Sequence, residues 1–181
     1  TNGFDTRLNT FHDVQIRWNL NKYFNVRISS ILGRKKSASD YASGRNYFIE
    51  YLETTPVFSY QPSSAFRIAL NTKYSQKENN SELSEKATIR DVGFDLRYNQ
   101  VKKGSFSGRF VYINIDYNAA LNSSIAFEML EGLKTGNNFT WGFTYQRKVA
   151  KDLQVNFNYN GRKSEESKTI HSGGMELRAF F

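Results

Sequence analysis

Cysteine is absent from this chain of 181 residues, so disulfides, thiolate nucleophiles and zinc–thiolate sites are excluded. No apolar run approaches the length of about 20 residues that a transmembrane helix needs. Proline, which interrupts the hydrogen-bond ladder of a sheet, occurs only twice, so long strands are allowed. Lysine and arginine outnumber acidic residues by 25 to 17. They are scattered singly rather than gathered on a helix face, so we expect no nucleic-acid partner.

Aromatic residues are abundant, with 15 Phe and 11 Tyr, and such residues favour pleated structure. The stretch 4–20, "FDTRLNTFHDVQIRWNL", keeps one alternation of apolar and polar residues throughout. Similar alternation recurs along the chain and predicts about nine strands in an antiparallel up-and-down sheet. A change of phase near Pro56 suggests a bulge. The stretch 105–118, "SFSGRFVYINIDYN", is apolar on both faces, and 123–133 suits a short helix or one more strand.

The connections between these strands alternate in length. Short ones are predicted around 21–22, 61–64, 101–104 and 150–152, and long polar ones around 36–46, 77–87, 119–138 and 161–172. Short and long connections therefore lie at opposite ends of the sheet. The acidic stretch "KENNSELSEK" and the basic stretch "GRKKSASD" are interpreted as solvated loops at the long-loop end.

One face of each predicted strand is nearly uncharged for about ten residues, which is the length that crosses a bilayer as a strand. Apolar residues toward lipid and polar residues toward a lumen are typical of a transmembrane β-barrel. A soluble barrel with an apolar interior remains the alternative. Two aromatic girdles are predicted on the apolar face. The first lies near the short turns and comprises Trp18, Phe24, Tyr60, Phe66, Tyr98, Tyr145 and Phe181. The second lies near the long loops and comprises Tyr74, Tyr117, Tyr159 and either Phe139 or Trp141.

The opposite face carries the charges that would line a lumen. They form either an ion-pair network that fills the interior and fixes the register, which we favour, or the wall of a polar pore. The predicted lumen charges are Arg67, Lys73, Asp91, Asp95, Arg97, Asp116, Glu176 and Arg178.

The last strand ends on alternating apolar residues, Met175, Leu177, Ala179 and Phe181. This pattern resembles the C-terminal recognition signal that the assembly machinery of bacterial outer-membrane barrels reads by edge pairing. Ala179 is smaller than the residue usual at its position. The segment 128–181, with "LEGLKTGNNFTW", "NYNGRKS" and "GGMELRAFF", is similar to the C-terminal end of large outer-membrane barrels of Bacteroidota. These include SprA-like secretion translocons and related barrels of unassigned function. The resemblance implies a barrel fold and an outer-membrane location in a Gram-negative bacterium.

The sequence offers little for catalysis. His12 lies on the apolar face of the first strand, and His171 has Ser167, Ser172, Glu165 and Glu166 nearby in sequence. No metalloprotease, phosphate-loop or serine-hydrolase motif accompanies them. We expect a solvated histidine rather than a catalytic one, and therefore no enzyme, no cofactor and no metal.

The preferred interpretation takes residues 1–181 as the C-terminal part of one outer-membrane β-barrel domain that serves transport, secretion or surface scaffolding. Its expected partners are the lipid bilayer and lipopolysaccharide, the β-barrel assembly machinery, and further subunits of a secretion or surface complex. A second hypothesis is a barrel captured as a client of that machinery. The third, a soluble ligand-binding barrel, would purify without detergent.

Single-chain bacterial barrels have an even number of strands, and about nine are predicted here. Strands 4–20 and 173–181 are therefore expected not to pair with each other. Each should pair outside this segment, since an open edge in lipid leaves backbone groups unsatisfied. The partner is either an upstream strand of the same polypeptide or the edge of an assembly-machine barrel.

Overall fold

The computed structural model describes residues 4–40, 44, 46–80, 84–165 and 167–180. These residues form one antiparallel sheet of nine strands in sequence order, which confirms the predicted up-and-down arrangement. The stretch 123–133 contains a helix and adds no strand. The elements are β1 (Asp5–Asn19), β2 (Phe24–Ser39), β3 (Tyr47–Tyr60), β4 (Phe66–Asn79), β5 (Glu85–Gln100), β6 (Gly104–Tyr117), α1 (Ser124–Met129), β7 (Gly136–Ala150), β8 (Leu153–Ser164) and β9 (Ile170–Ala179).

The register of the strands defines two faces of this sheet. Residues directly opposite each other share a face, and successive residues alternate between faces. Lys73 lies opposite Asp91, and this side is called the inner face. Leu32 lies opposite Leu52 on the other side, which is called the outer face. The alternation seen in the sequence is thus converted into one polar and one apolar surface.

The sheet is open. Within the described residues β1 is hydrogen-bonded to β2 alone and β9 to β8 alone, and every residue of both strands is exposed. The two end strands do not pair with each other, as expected from the odd strand count. Their pairing with strands outside this segment stays a prediction.

The predicted bulge at Pro56 is wrong. Thr54 lies opposite Tyr74 and Val57 lies opposite Asn71, so the register is the same on both sides of the proline. The ring only removes one backbone donor from the ladder. The single register shift in the described ladders falls between Lys148 and Ala150, next to a short turn.

The strands run further into the predicted long loops than the sequence suggested. At that end the connections cover only 40–46, 80–84 and 165–169, and 118–135 alone is long. The short turns cover 20–23, 61–65, 101–103 and 151–152. The charged ends of the strands are held by cross-strand ion pairs on the outer face, with Arg34 Nε 2.7 Å from Glu50 Oε1 and Lys86 Nζ 2.9 Å from Glu78 Oε1.

Side-chain chemistry explains two local features of the sheet. In the first turn, Asn21 Oδ1 accepts hydrogen bonds from the backbone N–H groups of Tyr23 and Phe24, and so closes the β1–β2 hairpin. On the outer face the Trp141 ring lies directly over Gly161, its cross-strand partner. A side chain at that glycine would collide with the indole, so the small residue makes room for the large one.

Most of the buried apolar residues, though not Val57 and Ala69, form one cluster on the inner face near the long connections. Ile49, Ile89 and Ile115 are each about 1 % exposed, and they pack against Met129 of α1 and the adjoining Leu130. No helix in the described part of the chain is long and apolar enough to cross a membrane.

Candidate functional site

The connection 118–135 folds back over the inner face and is called the inward segment. Its helix α1 begins at the N-cap residue Ser123, whose Oγ accepts a hydrogen bond of 2.9 Å from the Ala126 backbone N–H. Ala126 and Met129 are buried against the sheet, whereas Phe127 is 70 % exposed. A helix of six residues has little intrinsic stability, so packing on the sheet must hold it.

Ion pairs fix the inward segment to the inner face. Glu131 Oε1 lies 2.8 Å from Lys77 Nζ, and its Oε2 lies 2.9 Å from Lys73 Nζ. Glu128 Oε1 lies 2.5 Å from Lys35 Nζ. Lys73 also lies 3.5 Å from Asp91 of the neighbouring strand. Two carboxylates of the segment thus pair with three lysines of β2 and β4, and Asp91 of β5 supplies the third negative charge.

The Glu131 carboxyl is the electrostatic centre of this contact. Burial by itself would raise its pKa, but the ammonium groups of Lys77 and Lys73 outweigh burial and hold the pKa at about 2. Glu131 is therefore ionised at neutral pH. Lys77, only 8 % exposed, has this carboxylate as its partner.

The stretch 132–138, which connects the inward segment to β7, is held by two glycines of positive φ and by hydrogen bonds of Asn138. Gly132 and Gly136 adopt φ values of 73° and 81°, in the left-handed region that glycine tolerates. Asn138 is fully buried and donates to the carbonyls of Lys134 and Gly136, at 2.7 and 3.2 Å. Ser164 Oγ donates to Asn138 Oδ1 at 2.6 Å. These bonds position the segment over the sheet.

Below the inward segment, toward the short turns, the inner face borders an open cavity of about 1090 Å³. Its wall carries both signs of charge between apolar residues such as Val111. Asp95 accepts a hydrogen bond from Asn71 Nδ2 and lies 3.6 Å from Arg109 Nε. The inner face can therefore hold water and charged solutes.

The outer face carries an apolar band. In β2 the outer-face residues from Phe24 to Leu32 are uncharged, and Arg34 follows them. This span of nine residues matches the 9–11 residues of a membrane-crossing strand. Phe58 and Phe94 in the band are 50 % and 45 % exposed. So much exposed apolar surface is unusual for a water-soluble monomer.

Most of the predicted lumen charges lie on the inner face. Lys73 and Asp91 pair there, while Glu176 pairs with Arg178 on the same strand at 2.8 Å. Asp116 departs from the prediction because it lies on the outer face, where its Oδ2 is 2.6 Å from Arg90 Nη1. The last residues of β6, which include Asp116, lie beyond the apolar band of the outer face. The other predicted lumen charges on the inner face are Arg67, Asp95 and Arg97.

Within the described part of the chain, the predicted girdle residues lie on the outer face with one exception. Phe24 and Tyr60 are cross-strand partners with ring centroids 4.6 Å apart. Tyr117 was assigned to the long-loop girdle, but it lies on the inner face and donates a hydrogen bond of 3.2 Å to Glu85. It packs there against the buried cluster. The other outer-face members are Trp18, Phe66, Tyr74, Tyr98, Phe139, Trp141, Tyr145 and Tyr159.

The structure describes three of the four residues of the predicted C-terminal signal. Met175, Leu177 and Ala179 share the outer face of β9, with Met175 opposite Phe157. Phe181 lies outside the described residues. The predicted orientation of the last strand therefore holds up to Ala179.

Among the described residues, the histidines form no cluster with serine or carboxylate groups. His171 Nδ1 lies 2.7 Å from Tyr159 Oη, and its ring is near Trp141 on the outer face. Ser172 points to the inner face, while Glu165 accepts a bond of 2.9 Å from the Asn137 N–H. Glu166 lies outside the described residues. Among the residues described, no group of three or more acidic or histidine side chains could hold a metal ion.

Sequence reasoning missed the residues that anchor the inward segment. Polarity predicts solvated loops for the stretches that contain Lys35 and Lys77, yet both lysines point inward and bind carboxylates. The signal lay in β6, where the inner-face residues Val111, Ile113 and Ile115 are apolar. An apolar patch on an otherwise polar face indicates that something packs on it.

No known family model matches the chain, and no curated protein matches it either.

Proposed function

We propose that the chain is part of the wall of a β-barrel that spans a bacterial outer membrane, with its inner face toward an aqueous lumen. The apolar band on the outer face carries this proposal. An exposed band of this length suits lipid, while the inner face offers charges and polar groups to water. The inward segment narrows the lumen near the long connections, as inserted loops do in many such barrels.

The two open edges support the same proposal. Each unpaired strand edge in lipid would leave backbone groups without partners, at several kcal/mol for each group. Additional strands paired to the free edges of β1 and β9 would complete a closed wall. In this role the chain contributes to transport, secretion or surface scaffolding, with lipid and lipopolysaccharide against the band.

A second candidate, a barrel held as a client of the assembly machinery, draws on one observation. The edge of β9 is free over Ile170–Ala179, and it carries the alternating apolar residues of the terminal signal. A free edge is the surface that strand addition uses. Stable co-purification with the assembly machinery after synthesis has stopped would favour this candidate over the first.

Spin labels on consecutive residues of β5 test the membrane proposal. The chain has no cysteine, so single cysteines introduce the label without background. Phe94 and Leu96 lie on the outer face, and Asp95 and Arg97 lie between and after them on the inner face. In membranes we expect labels on the outer face, at Phe94 and Leu96, to be accessible to dissolved oxygen. Labels on the inner face, at Asp95 and Arg97, should be accessible to a polar nickel complex.

The four positions act as matched controls for one another because they are neighbours in one strand. A period of two in the ratio of the accessibilities supports the proposal. Equal accessibility of all four labels to the nickel complex, or purification of a folded chain from the cytosol without detergent, would contradict it and favour a soluble barrel.

A further inference from the structure

A second cavity, of about 910 Å³, lies at the short-turn end of the sheet between the β1–β2 hairpin and the β3–β4 turn. Its cationic lining is one-sided: it contains Arg17, Lys22, Arg27 and Arg67, and no carboxylate occurs among the described residues that line it. Neutral hydrogen-bonding side chains make up most of the remaining wall, together with Phe24 and Pro62. The hydrogen-bonding side chains include Asn19, Asn21, Asn25, Ser59 and Gln61.

The arginines of this region oppose each other across strands. Arg17 lies directly opposite Arg27 on the inner face. Arg67 likewise lies directly opposite Arg97. Like charges at opposed positions destabilise a sheet. An anion bound between the guanidinium groups would convert this repulsion into attraction.

The nearby carboxylates do not neutralise these arginines. Among the described residues, Arg17, Arg27, Arg67 and Arg97 make no ion pair. Asp13, on the inner face of β1, accepts a hydrogen bond of 2.8 Å from Ser29 instead. Arg67 Nη2 donates to Ser59 Oγ at 3.0 Å, so its contact in this cavity is neutral. At the long-connection end of the sheet, by contrast, the carboxylates of the inward segment pair with the inner-face lysines.

We propose that this cavity binds the phosphate groups of an anionic ligand. Guanidinium groups present planar pairs of donors that match phosphate oxygens, and they stay charged at any physiological pH. The amide and hydroxyl groups of the wall supply further donors. The volume is within the range of sites for small ligands. The phosphate belongs either to a soluble ligand or to the headgroup of a lipid that reaches the rim.

The site requires only the fold of β1–β4 and no membrane. Its failure would therefore leave the proposed membrane location untouched, and a soluble location would leave the site intact. In a membrane barrel it would give the lumen a preference for anions, because rings of arginine and lysine select anions in pores.

Titration calorimetry on the folded chain in maltoside micelles tests the proposal, with inorganic pyrophosphate as the probe and sodium chloride of equal ionic strength as the blank. Arg27→Gln removes a central guanidinium. Arg34→Gln is the matched control, since Arg34 lies on the same strand but on the outer face, paired with Glu50. We expect the first variant to weaken pyrophosphate binding by about tenfold or more and the second to change it by less than about twofold.

The melting temperature provides a second measurement. Removing one of two opposed arginines relieves repulsion, so Arg27→Gln should melt no lower than the wild type while binding less. Arg17→Gln should behave in the same way. A loss of binding that accompanies an equal loss of folded protein in both variants would overturn the proposal, because binding would then only report on folding.

A parallel titration uses maltoside micelles that contain phosphatidylglycerol in place of pyrophosphate. If Arg27→Gln weakens the binding of pyrophosphate alone, the site binds soluble phosphates. If it weakens the binding of phosphatidylglycerol alone, the site binds lipid headgroups. Sensitivity in both assigns it to the phosphate group whatever its carrier. No binding in either, or an equal effect of Arg34→Gln, would refute the site.

Discussion

Lys77 and Glu131 are joined across the inner face by an ion pair in which Nζ lies 2.8 Å from Oε1. The lysine belongs to β4 and the glutamate to the inward segment, 54 residues later in the chain. Because Lys77 is only 8 % exposed, its charge depends on this carboxylate. The pair therefore couples the position of the inward segment to the ionisation of one group.

Glu131→Gln should destabilise the fold at neutral pH by about 1–3 kcal/mol, since it leaves Lys77 and Lys73 without their shared carboxylate in a partly screened site. The pKa of Glu131 is depressed to about 2 in the folded protein. Its stabilising contribution is thus complete above the unfolded pKa of about 4.5 and is lost as the pH falls toward 2. Denaturant titrations at pH 7, 4 and 2.5 measure both effects.

The variant Glu50→Gln is the control for this titration. Glu50 forms an exposed ion pair with Arg34 on the outer face, so its loss should cost less than about 1 kcal/mol. If Glu131→Gln shows the same fall in stability between pH 7 and 2.5 as the wild type, Glu131 is not the titrating group.

Phe94→Arg should cost about 2–4 kcal/mol in lipid, because a charge would face the hydrocarbon near the middle of the apolar band. Arg97→Gln, three residues along β5 and on the inner face, should cost much less. Folding titrations in lipid bilayers compare the two variants. Equal costs, or the reverse order, would indicate that the apolar face is the interior of a soluble barrel.

The sheet was predictable because alternation is a local property of the sequence. Each strand shows its two faces in its own residues, and Arg97 and Phe94 were placed correctly by counting alone. The antiparallel order followed from the short connections between successive strands. No contact between distant segments had to be known for this part of the fold.

The inward segment was not predictable in the same way. Its six-residue helix has no strong signal of its own, and its docking depends on pairs such as Lys35 with Glu128, 93 residues apart. Polarity suggested loops at these positions because lysine and glutamate are usually solvated. Asp116 and Tyr117 were misplaced for a related reason, since β6 is apolar on its inner face where the segment packs.

Gly136→Ala should destabilise the return from the inward segment by about 1–2 kcal/mol or more. The residue has φ of 81°, where a side chain is strained, and a methyl group would also meet the Glu165 carboxylate. Thermal unfolding of the two variants Gly136→Ala and Gly108→Ala measures this cost. At Gly108 the nearest atom to a new Cβ is the Phe106 ring at 3.6 Å, so that control should be nearly neutral.

The orientation of the sheet in the membrane is tested by single cysteines at the two ends. In single-chain barrels the short turns face the periplasm and the longer loops face outside. Cysteines at Asp40, Ser84 and Ser167 should therefore react with an impermeant maleimide on intact cells, and those at Ser63 and Lys103 only after lysis. Labelling confined to Ser63 and Lys103 on intact cells would reverse the topology.

The last prediction concerns the two free edges. If β1 and β9 each pair with a strand outside this segment, the two strands lie apart in the assembled wall. Cysteines placed on them then cannot meet. Val14→Cys and Met175→Cys put both thiols on the outer face, at mid-strand positions of the two edges. Oxidation in membranes should give no intramolecular disulfide, because its Cα atoms must come within about 7 Å.

The neighbouring strands β1 and β2 provide a positive control. Val14 lies opposite Ser30, so the pair Val14→Cys and Ser30→Cys should cross-link under the same conditions. Replacing Val14→Cys by Ile16→Cys, or Met175→Cys by Leu177→Cys, tests registers that are offset by two residues. A disulfide between β1 and β9 in any of these combinations would mean that the nine strands close on themselves. The edges would then need no further strand, and the expectation drawn from the odd strand count would be wrong.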